Sequence, residues 1–402
     1  MAQPSLEKFD SRHDSAPTSE KRSRSVAVVG GSAAGLFAAS LLARRGVKVR
    51  VLERSETLEP PARTLIVTPR MRSLLGASAE RSVVNEIRRF EIFTDGRVAK
   101  IPLKHPDLIV ERRVLIRGLA EEARRAGASV EMGKRFHGLH AEARGLMVES
   151  ERCSDGSREE IAVDAVIGSD GVASRVARAA GWAPLATAPL VQAIVPLPKD
   201  MPADTTRVWF IPQDTPYFYW LIPESPTRGV LGVIGESGQE TKRCLERFLE
   251  KKKLDPIEFQ GARVPVYTRW IPVERRVGNA SVYLAGDAAA QVKVSTVGGT
   301  VTGFRGALGI AESILYGASR ELRSLRRELD LHLLLRRSLH DFEQADYSRL
   351  VDLLNDYTKQ PLAEYSRDEA WKILWRVCLR QPRLILMGLR GLLMHRHSPR
   401  AL

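Results

Sequence analysis

Residues Ser25 to Glu53 read SVAVVGGSAAGLFAASLLARRGVKVRVLE. The apolar run at residues 25–29 predicts a short buried strand, residues 35–45 predict a helix, and residues 47–52 predict a second strand. Glycines at 30, 31 and 35 lie where the first strand must turn sharply into the helix. This strand–helix–strand unit predicts an α/β fold.

The turn has the composition of a dinucleotide-binding loop. Gly30 permits the tight turn, Gly35 lets the helix pack closely on the sheet, and Ser32 takes the place of the middle glycine. A pyrophosphate would lie at the positive end of the helix, and Glu53 follows where a carboxylate accepts hydrogen bonds from a ribose. The residues predicted to bind this half of a nucleotide are Gly30, Gly31, Ser32, Ala33, Ala34, Gly35 and Glu53.

Two later segments repeat the pattern of a buried strand that ends in an acidic turn. Residues 164–171 read DAVIGSDG and lead into an arginine-rich helix, and residues 282–289 read VYLAGDAA. Asp170 and Asp287 would each accept a hydrogen bond from a hydroxyl of a bound nucleotide. The alternative for each is a simple turn.

Taken together, the three segments resemble the fingerprints of the flavoprotein superfamily that contains para-hydroxybenzoate hydroxylase, squalene epoxidase and the geranylgeranyl reductases. The likeness runs from Ser25 to Ile314. It implies non-covalent FAD, with the first loop and Glu53 on the ADP half and Asp287 on the ribityl or pyrophosphate part. The Asp-Gly motif also bears on NADH or NADPH in this superfamily. The cofactor-binding residues implied beyond the first loop are Arg63, Arg112, Asp170, Gly171, Gly286, Asp287, Gly298 and Gly299.

Arg112 matches an arginine that opens a helix and contacts the cofactor in these proteins, and a solvated arginine at a helix start is the alternative. The loop at residues 291–307 resembles the Pro-x-x-Gly-Gly-Gly loop whose following helix faces the flavin. Val294 replaces the proline and Val297 replaces the first glycine.

Residues 189–235 change to short aromatic and β-branched runs broken by prolines, which predicts an antiparallel sheet that forms the substrate domain. Phe218, Trp220 and Ile222 alternate along one strand and would form one apolar wall for a small lipophilic substrate. The segment resembles a lipid-pocket segment of the geranylgeranyl reductases. An ordinary sheet core is the alternative.

The predicted fold is therefore α/β: a Rossmann-type, GR2-like FAD-binding domain, an inserted antiparallel substrate domain and a C-terminal helical region. Residues 1–24 are predicted to be a disordered leader. The FAD-binding domain is assigned to residues 25–63, 101–180 and 262–312, the substrate domain to 64–100 and 181–261, and the C-terminal helices to 313–402.

The resemblance implies an NAD(P)H-using, FAD-dependent monooxygenase that acts on an isoprenoid or prenylated substrate. Archaeal geranylgeranyl reductases carry a Cys-Gly pair shortly after the ribose acid, and residues 61–65 are PARTL here. A flavin-dependent reductase of prenyl double bonds is the second interpretation. A non-catalytic prenyl-binding protein, like the Rab GDP dissociation inhibitors, is the third. No catalytic side chain is assigned.

The net charge and the cysteine count limit the classes of partner and the location expected for the protein. A formal net charge of +14 favours anionic groups such as phosphates, nucleic acid or acidic lipid headgroups. Nucleic acid is disfavoured because the arginines are scattered without interleaved aromatic residues. Three separated cysteines predict a reducing, cytoplasmic location and no metal site.

Two apolar segments raise the question of a membrane. Residues 26–43 are uncharged and follow Lys21, Arg22 and Arg24, yet their glycines favour the nucleotide-binding turn over a membrane anchor. Residues 371–394 are apolar and basic, and Pro382 should divide them into two helices too short to span a bilayer. These helices either lie peripherally on the inner membrane face or dock on the protein's own core.

Overall fold

The computed structural model describes residues 24–60 and 63–395. The predicted leader, apart from its last residue, lies outside the described residues. The strands are, in chain order, β1 (Ser25–Val29), β2 (Lys48–Leu52), β3 (Thr64–Val67), β4 (Val83–Thr94), β5 (Arg97–Glu111), β6 (Ser129–Glu131), β7 (Lys134–Glu142), β8 (Gly145–Arg152), β9 (Arg158–Val163), β10 (Ala165–Gly168), β11 (Thr187–Pro196), β12 (Thr205–Trp209), β13 (Tyr219–Pro223), β14 (Arg228–Ile234), β15 (Glu258–Pro265), β16 (Glu274–Val277) and β17 (Ala280–Leu284).

Helices fill the connections and form the whole C-terminal region. They are α1 (Ala33–Ala43), α2 (Arg70–Leu75), α3 (Ala77–Ser82), α4 (Arg112–Arg125), α5 (Arg175–Ala179), α6 (Gly238–Lys252), α7 (Thr300–Tyr316), α8 (Arg320–Leu339), α9 (Gln344–Asp352), α10 (Asp356–Glu364), α11 (Ala370–Arg380) and α12 (Arg383–His395). Short 3-10 turns lie at Gly286–Ala289 and Arg367–Glu369.

The first sheet confirms the Rossmann-type prediction. Its order is β16-β17-β10-β1-β2-β6, and every neighbouring pair is parallel except β16 with β17. The glycine loop, Glu53, Asp170 and Asp287 each follow one of the four adjacent strands β1, β2, β10 and β17. Because the carboxyl ends of parallel strands share one edge, segments far apart in the sequence meet there.

Helix α1 packs in the centre of the first core. All its residues except Ala33 are buried, and Phe37 meets Phe304 of α7 edge to face at 5.4 Å between ring centroids. Helix α4 covers it from another side with Leu115 and Leu119. A helix that is apolar all round is thus enclosed by sheet and helices on every side.

The second sheet has the order β15-β11-β14-β13-β12-β4-β5-β3 and is antiparallel except for β12 with β4. The assigned domain limits at residues 101 and 262 fall inside β5 and β15, which lie wholly in this sheet. Each strand continues its ladder across the assigned limit. A separate sheet, β7-β8-β9, was not predicted and packs on the first sheet through Phe136 and Val148.

The C-terminal region is helical, as predicted. Pro382 separates α11 from α12. Helix α12 packs on α8, and α11 packs on α10 and α8. Of the helices described, none combines the length and the apolar character needed to cross a bilayer.

Candidate functional site

One large cavity runs between the two main sheets. Its volume is about 1090 Å³, near the upper end of the range for ligand pockets. Every residue predicted to bind cofactor lines it except Gly35, and so do all three predicted wall residues. The sequence-predicted site residues are therefore brought together in one continuous space.

The glycine loop forms one wall of the cavity. Gly30 has a φ of +99°, and a Cβ atom there would lie 2.7 Å from the carbonyl oxygen of Ser169. Gly35 lies behind the loop, where a Cβ atom would be 2.6 Å from the carbonyl oxygen of Gly30. The Ser32 hydroxyl accepts a hydrogen bond from the Gly35 N–H at 3.2 Å and so caps α1. Both glycines are needed for close backbone approach, and the capped helix directs its N-terminus at the cavity.

Glu53 and Asp170 have different local roles. Glu53 follows β2, and its carboxylate accepts hydrogen bonds from the N–H groups of Gly31 at 2.6 Å and Ser55 at 2.9 Å. The Asp170 carboxylate accepts from the Ser174 hydroxyl at 2.5 Å and from the Arg175 N–H at 2.7 Å. Asp170 therefore supports the start of α5, whose N-cap residue is Ser174, and it also lines the cavity.

One group of charged side chains on the cavity wall consists of Asp287, Arg63 and Arg112. The Asp287 side chain is accessible from the cavity, yet protein surrounds it closely, and this desolvation raises the pKa of its carboxyl while the two arginines act against the shift. Desolvation also lowers the pKa of both guanidinium groups. Two cations beside one carboxylate leave a net positive site that suits a bound anion.

The loop before α7 lines the next part of the cavity. Gly298, Gly299 and Thr300 lie on its wall, and the N-terminus of α7 has no side-chain cap. Val297 has a φ of +53°, a left-handed conformation that a β-branched residue rarely adopts. The valine thus occupies a glycine-like conformation, at a cost of about 1–3 kcal/mol.

The far part of the cavity is apolar. Phe218, Trp220 and Ile222 line it together with Phe90 and Phe210. The alternate residues of β13, Tyr219 and Leu221, are buried on the opposite face against α6. The strand therefore has both a cavity wall and an ordinary core face.

A buried polar group under the α7 loop was not predicted from the sequence. Lys293 and Asp368 form an ion pair with side chains 4% and 1% exposed, and Thr68 donates a hydrogen bond to the same carboxylate. The Ser295 hydroxyl, on the cavity wall, is hydrogen bonded to His332 Nδ1 at 2.5 Å. Lys293 is flanked by valines in the sequence, but its partner lies seventy-five residues away and gave no local signal.

The chemistry of the cavity fits a dinucleotide with room for an apolar group beside it. A glycine loop and helix N-terminus lie beside Glu53, a net positive group follows, and an apolar chamber adjoins them. Backbone N–H groups and cations suit a pyrophosphate, and the carboxylate suits a ribose. Among the residues that the structure describes, no cluster of His, Cys, Asp or Glu suits a metal ion.

Comparisons with known proteins agree with this fit. Digeranylgeranylglycerophospholipid reductase 2 of Methanopyrus kandleri is 29% identical over 301 residues, which cover 69% of this chain and 73% of that protein. The corresponding reductase of Methanosarcina acetivorans is 24% identical over 393 residues, covering 87% and 94%.

Solved structures share the fold. A geranylgeranyl bacteriochlorophyll reductase-like protein from Thermoplasma acidophilum superposes with a TM-score of 0.75 at 19% identity, covering 92% of this chain and all of that one. The p-nitrophenol 4-monooxygenase PnpA from Pseudomonas putida gives a TM-score of 0.60 at 19% identity, covering 94% and 99%.

A family model described as FAD binding domain matches residues 23–314. This range contains the glycine loop, both acidic turns and the loop before α7. Since the match extends over well more than half of the chain, the protein belongs to the FAD binding domain family, and FAD is its cofactor.

Proposed function

We propose that the protein is an FAD-dependent oxidoreductase that reduces double bonds in a prenylated, lipophilic substrate. The observation that carries the proposal is the continuity of the cavity from the positive group at Asp287 to the apolar wall at Phe218 and Trp220. Sequence relatives support the reductase, because relatives that are 28–29% identical are digeranylgeranylglycerophospholipid reductases. This choice departs from the monooxygenase favoured by the sequence alone.

The side chains of this protein would bind and orient FAD and the substrate and would not themselves react. Arg63 and Arg112 would neutralise anionic groups of FAD, and the N-terminus of α7 would stabilise negative charge on its ring system. Phe218, Trp220 and Ile222 would exclude water and hold an apolar chain against the cofactor. FAD itself supplies the two-electron chemistry.

The monooxygenase remains the second candidate because of one sequence departure. Residues 61–65 lack the Cys-Gly pair of the archaeal reductases. A monooxygenase would also require NADH or NADPH as reductant, and that requirement is a prediction that one assay can test.

The test compares two reactions of the purified protein with the same prenylated lipid. Under anaerobic conditions with dithionite, a reductase yields a product two hydrogens heavier, which mass spectrometry detects. In air with NADH or NADPH, a monooxygenase yields substrate-stimulated oxygen uptake and a product that has gained oxygen. Product reduction without oxygen uptake supports the proposal, and oxygen incorporation contradicts it.

Two variants connect the activity to the cavity. Arg112→Met removes one cation and should lower bound flavin per protein, measured from the visible spectrum after gel filtration. Arg124→Met removes an exposed arginine of the same helix and should leave flavin content unchanged. Phe218→Ser should raise KM for the lipid while flavin content stays at the wild-type level.

A further inference from the structure

Helices α11 and α12 expose an unusual apolar surface, here named the Trp–Leu face. Its six side chains are between 42% and 68% exposed. Six of the fifteen large apolar side chains exposed in the described structure thus fall within nineteen consecutive residues. The Trp–Leu face consists of Trp371, Trp375, Leu379, Ile385, Leu386 and Leu389.

The helical spacing explains the face. Trp371, Trp375 and Leu379 follow one another at intervals of four, so they form one stripe along α11. The opposite side of α11 buries Ala370 and Val377 against the protein. The exposed stripe is therefore not a packing requirement of the domain, and exposed apolar surface of this extent marks an interaction site.

The charged side chains of α11 and α12 are all cationic, and two of them, Lys372 and Arg390, pair with the acids Glu369 and Asp346 outside these helices. No aspartate or glutamate follows Glu369 before residue 395. Arg376 and Arg380 lie over the rings of Tyr365 and Tyr357, with 4.5 and 4.6 Å from guanidinium carbon to ring centroid. The cationic side chains of the two helices are Lys372, Arg376, Arg380, Arg383 and Arg390.

We infer that the Trp–Leu face docks on the surface of an anionic lipid bilayer, with both helices lying in the plane of the interface. Tryptophan and leucine enter the headgroup and acyl boundary, and flanking arginine and lysine pair with anionic headgroups. A second copy of the chain is a poorer occupant, because two such faces would bring ten cations together with no acid from either helix.

In the sequence, the Trp–Leu face begins a few residues after a residue that lines the cavity. Arg367, three residues before α11, lines the cavity and donates to the Asp107 carboxylate at 2.6 Å. Its guanidinium carbon lies 5.3 Å from the ring centroid of Phe90, another wall residue. We extend the inference in one respect that rests on the proposed function: docking presents the apolar part of the cavity to a substrate dissolved in the membrane.

The experiment uses the full, flavin-loaded chain and vesicles of phosphatidylcholine with or without phosphatidylglycerol. Co-sedimentation should show binding to the anionic vesicles that weakens with added salt. Tryptophan emission should shift to shorter wavelength on binding, because two of the six tryptophans enter the lipid. Binding without anionic lipid should be much weaker.

Two triple variants are compared. Trp371→Ser, Trp375→Ser and Leu379→Ser together should reduce vesicle affinity by about tenfold or more, because three apolar side chains that enter the lipid on docking are lost. The matched control replaces three exposed apolar residues elsewhere: Val84, Val98 and Ile257, each to serine. The control should bind vesicles as the wild type does.

The inference is overturned if the wild-type protein does not bind anionic vesicles, or if the helix variant binds them equally well. It is also overturned if sedimentation velocity shows a dimer that only the helix variant loses, without vesicle binding. Enzyme activity distinguishes a failure of the docking inference from a failure of the proposed function. The helix variant should keep wild-type activity on lipid dispersed in detergent and lose activity on lipid in vesicles, whereas failure of the proposed function removes both.

Discussion

Helix α1 and the pair α11–α12 are both apolar enough to be considered as membrane-contacting segments, yet the structure buries α1 and leaves one side of α11 and α12 exposed. Sheet, α4 and α7 enclose α1, and only Ala33 at its start is less than buried. The two C-terminal helices bury one side and expose the tryptophans and leucines of the other. Local hydrophobicity therefore does not decide exposure; the number of neighbouring elements does.

A charge placed in each region should give the largest difference. Leu42→Lys, at a position 0% exposed, should leave no soluble folded protein, because desolvation of an ammonium group costs several kcal/mol against a total stability of about 5–15 kcal/mol. Leu386→Lys, at a position 68% exposed, should change stability by less than about 0.5 kcal/mol. Soluble yield and thermal unfolding by circular dichroism measure both. Equal behaviour of the two variants would refute the comparison.

The second prediction concerns how the C-terminal helices are anchored. Lys293→Met leaves the buried Asp368 carboxylate without its cation, and we expect a loss of about 3–5 kcal/mol in the free energy of unfolding. The control, Lys242→Met, breaks an exposed pair with Glu246 and should cost less than about 1 kcal/mol. Urea unfolding compares them, and similar losses would mean that apolar packing alone holds the helices.

The close packing of α1 can be tested with a glycine-to-alanine substitution, which adds one methyl group. Gly35→Ala places a Cβ atom 2.6 Å from the Gly30 carbonyl oxygen and should cost about 1–3 kcal/mol and lower flavin content. Gly388→Ala on α12 has no nearer neighbour than the Ser338 hydroxyl at 4.0 Å, and it should be neutral or stabilise by up to about 1 kcal/mol. Thermal unfolding and the visible spectrum distinguish the two. A tolerated Gly35→Ala would mean that α1 is free to shift.

The smallest effect is expected at the contact between α8 and the loop before α7. Burial lowers the pKa of His332 from its usual 6.5 to about 3. Between these two pH values the histidine binds a proton in the unfolded chain and stays neutral in the folded protein. Stability should therefore fall as the pH drops below 6.5, by about 1.4 kcal/mol at one unit below it.

The measurement is urea unfolding at several pH values for the wild type and His332→Gln. The variant should lack this part of the pH dependence, whereas the exposed His137→Gln should retain it. An unchanged pH profile in His332→Gln would show that the histidine is not held neutral in the folded protein.

Much of the cofactor site was accessible from sequence because its signals are local. Gly30, Ser32 and Gly35 belong to one turn, and Glu53 and Asp287 each follow an apolar strand directly. The wall at Phe218 and Trp220 was found because alternate residues of a strand share a face. Asp170 shows the limit of the same reasoning, since its carboxylate also accepts hydrogen bonds at the start of α5, which the motif did not predict.

The sequence by itself determined the strand–helix–strand unit, the order of the acidic turns and the division of the C-terminal helices at Pro382, because each depends on residues within one turn or one strand. Only the tertiary structure decided that β5 and β15 extend the second sheet, that Lys293 pairs with Asp368, and which helices expose their apolar sides. These features depend on contacts between segments that are distant in the sequence. The energy of such a contact depends on how deeply its residues are buried, and a local sequence pattern does not predict that burial.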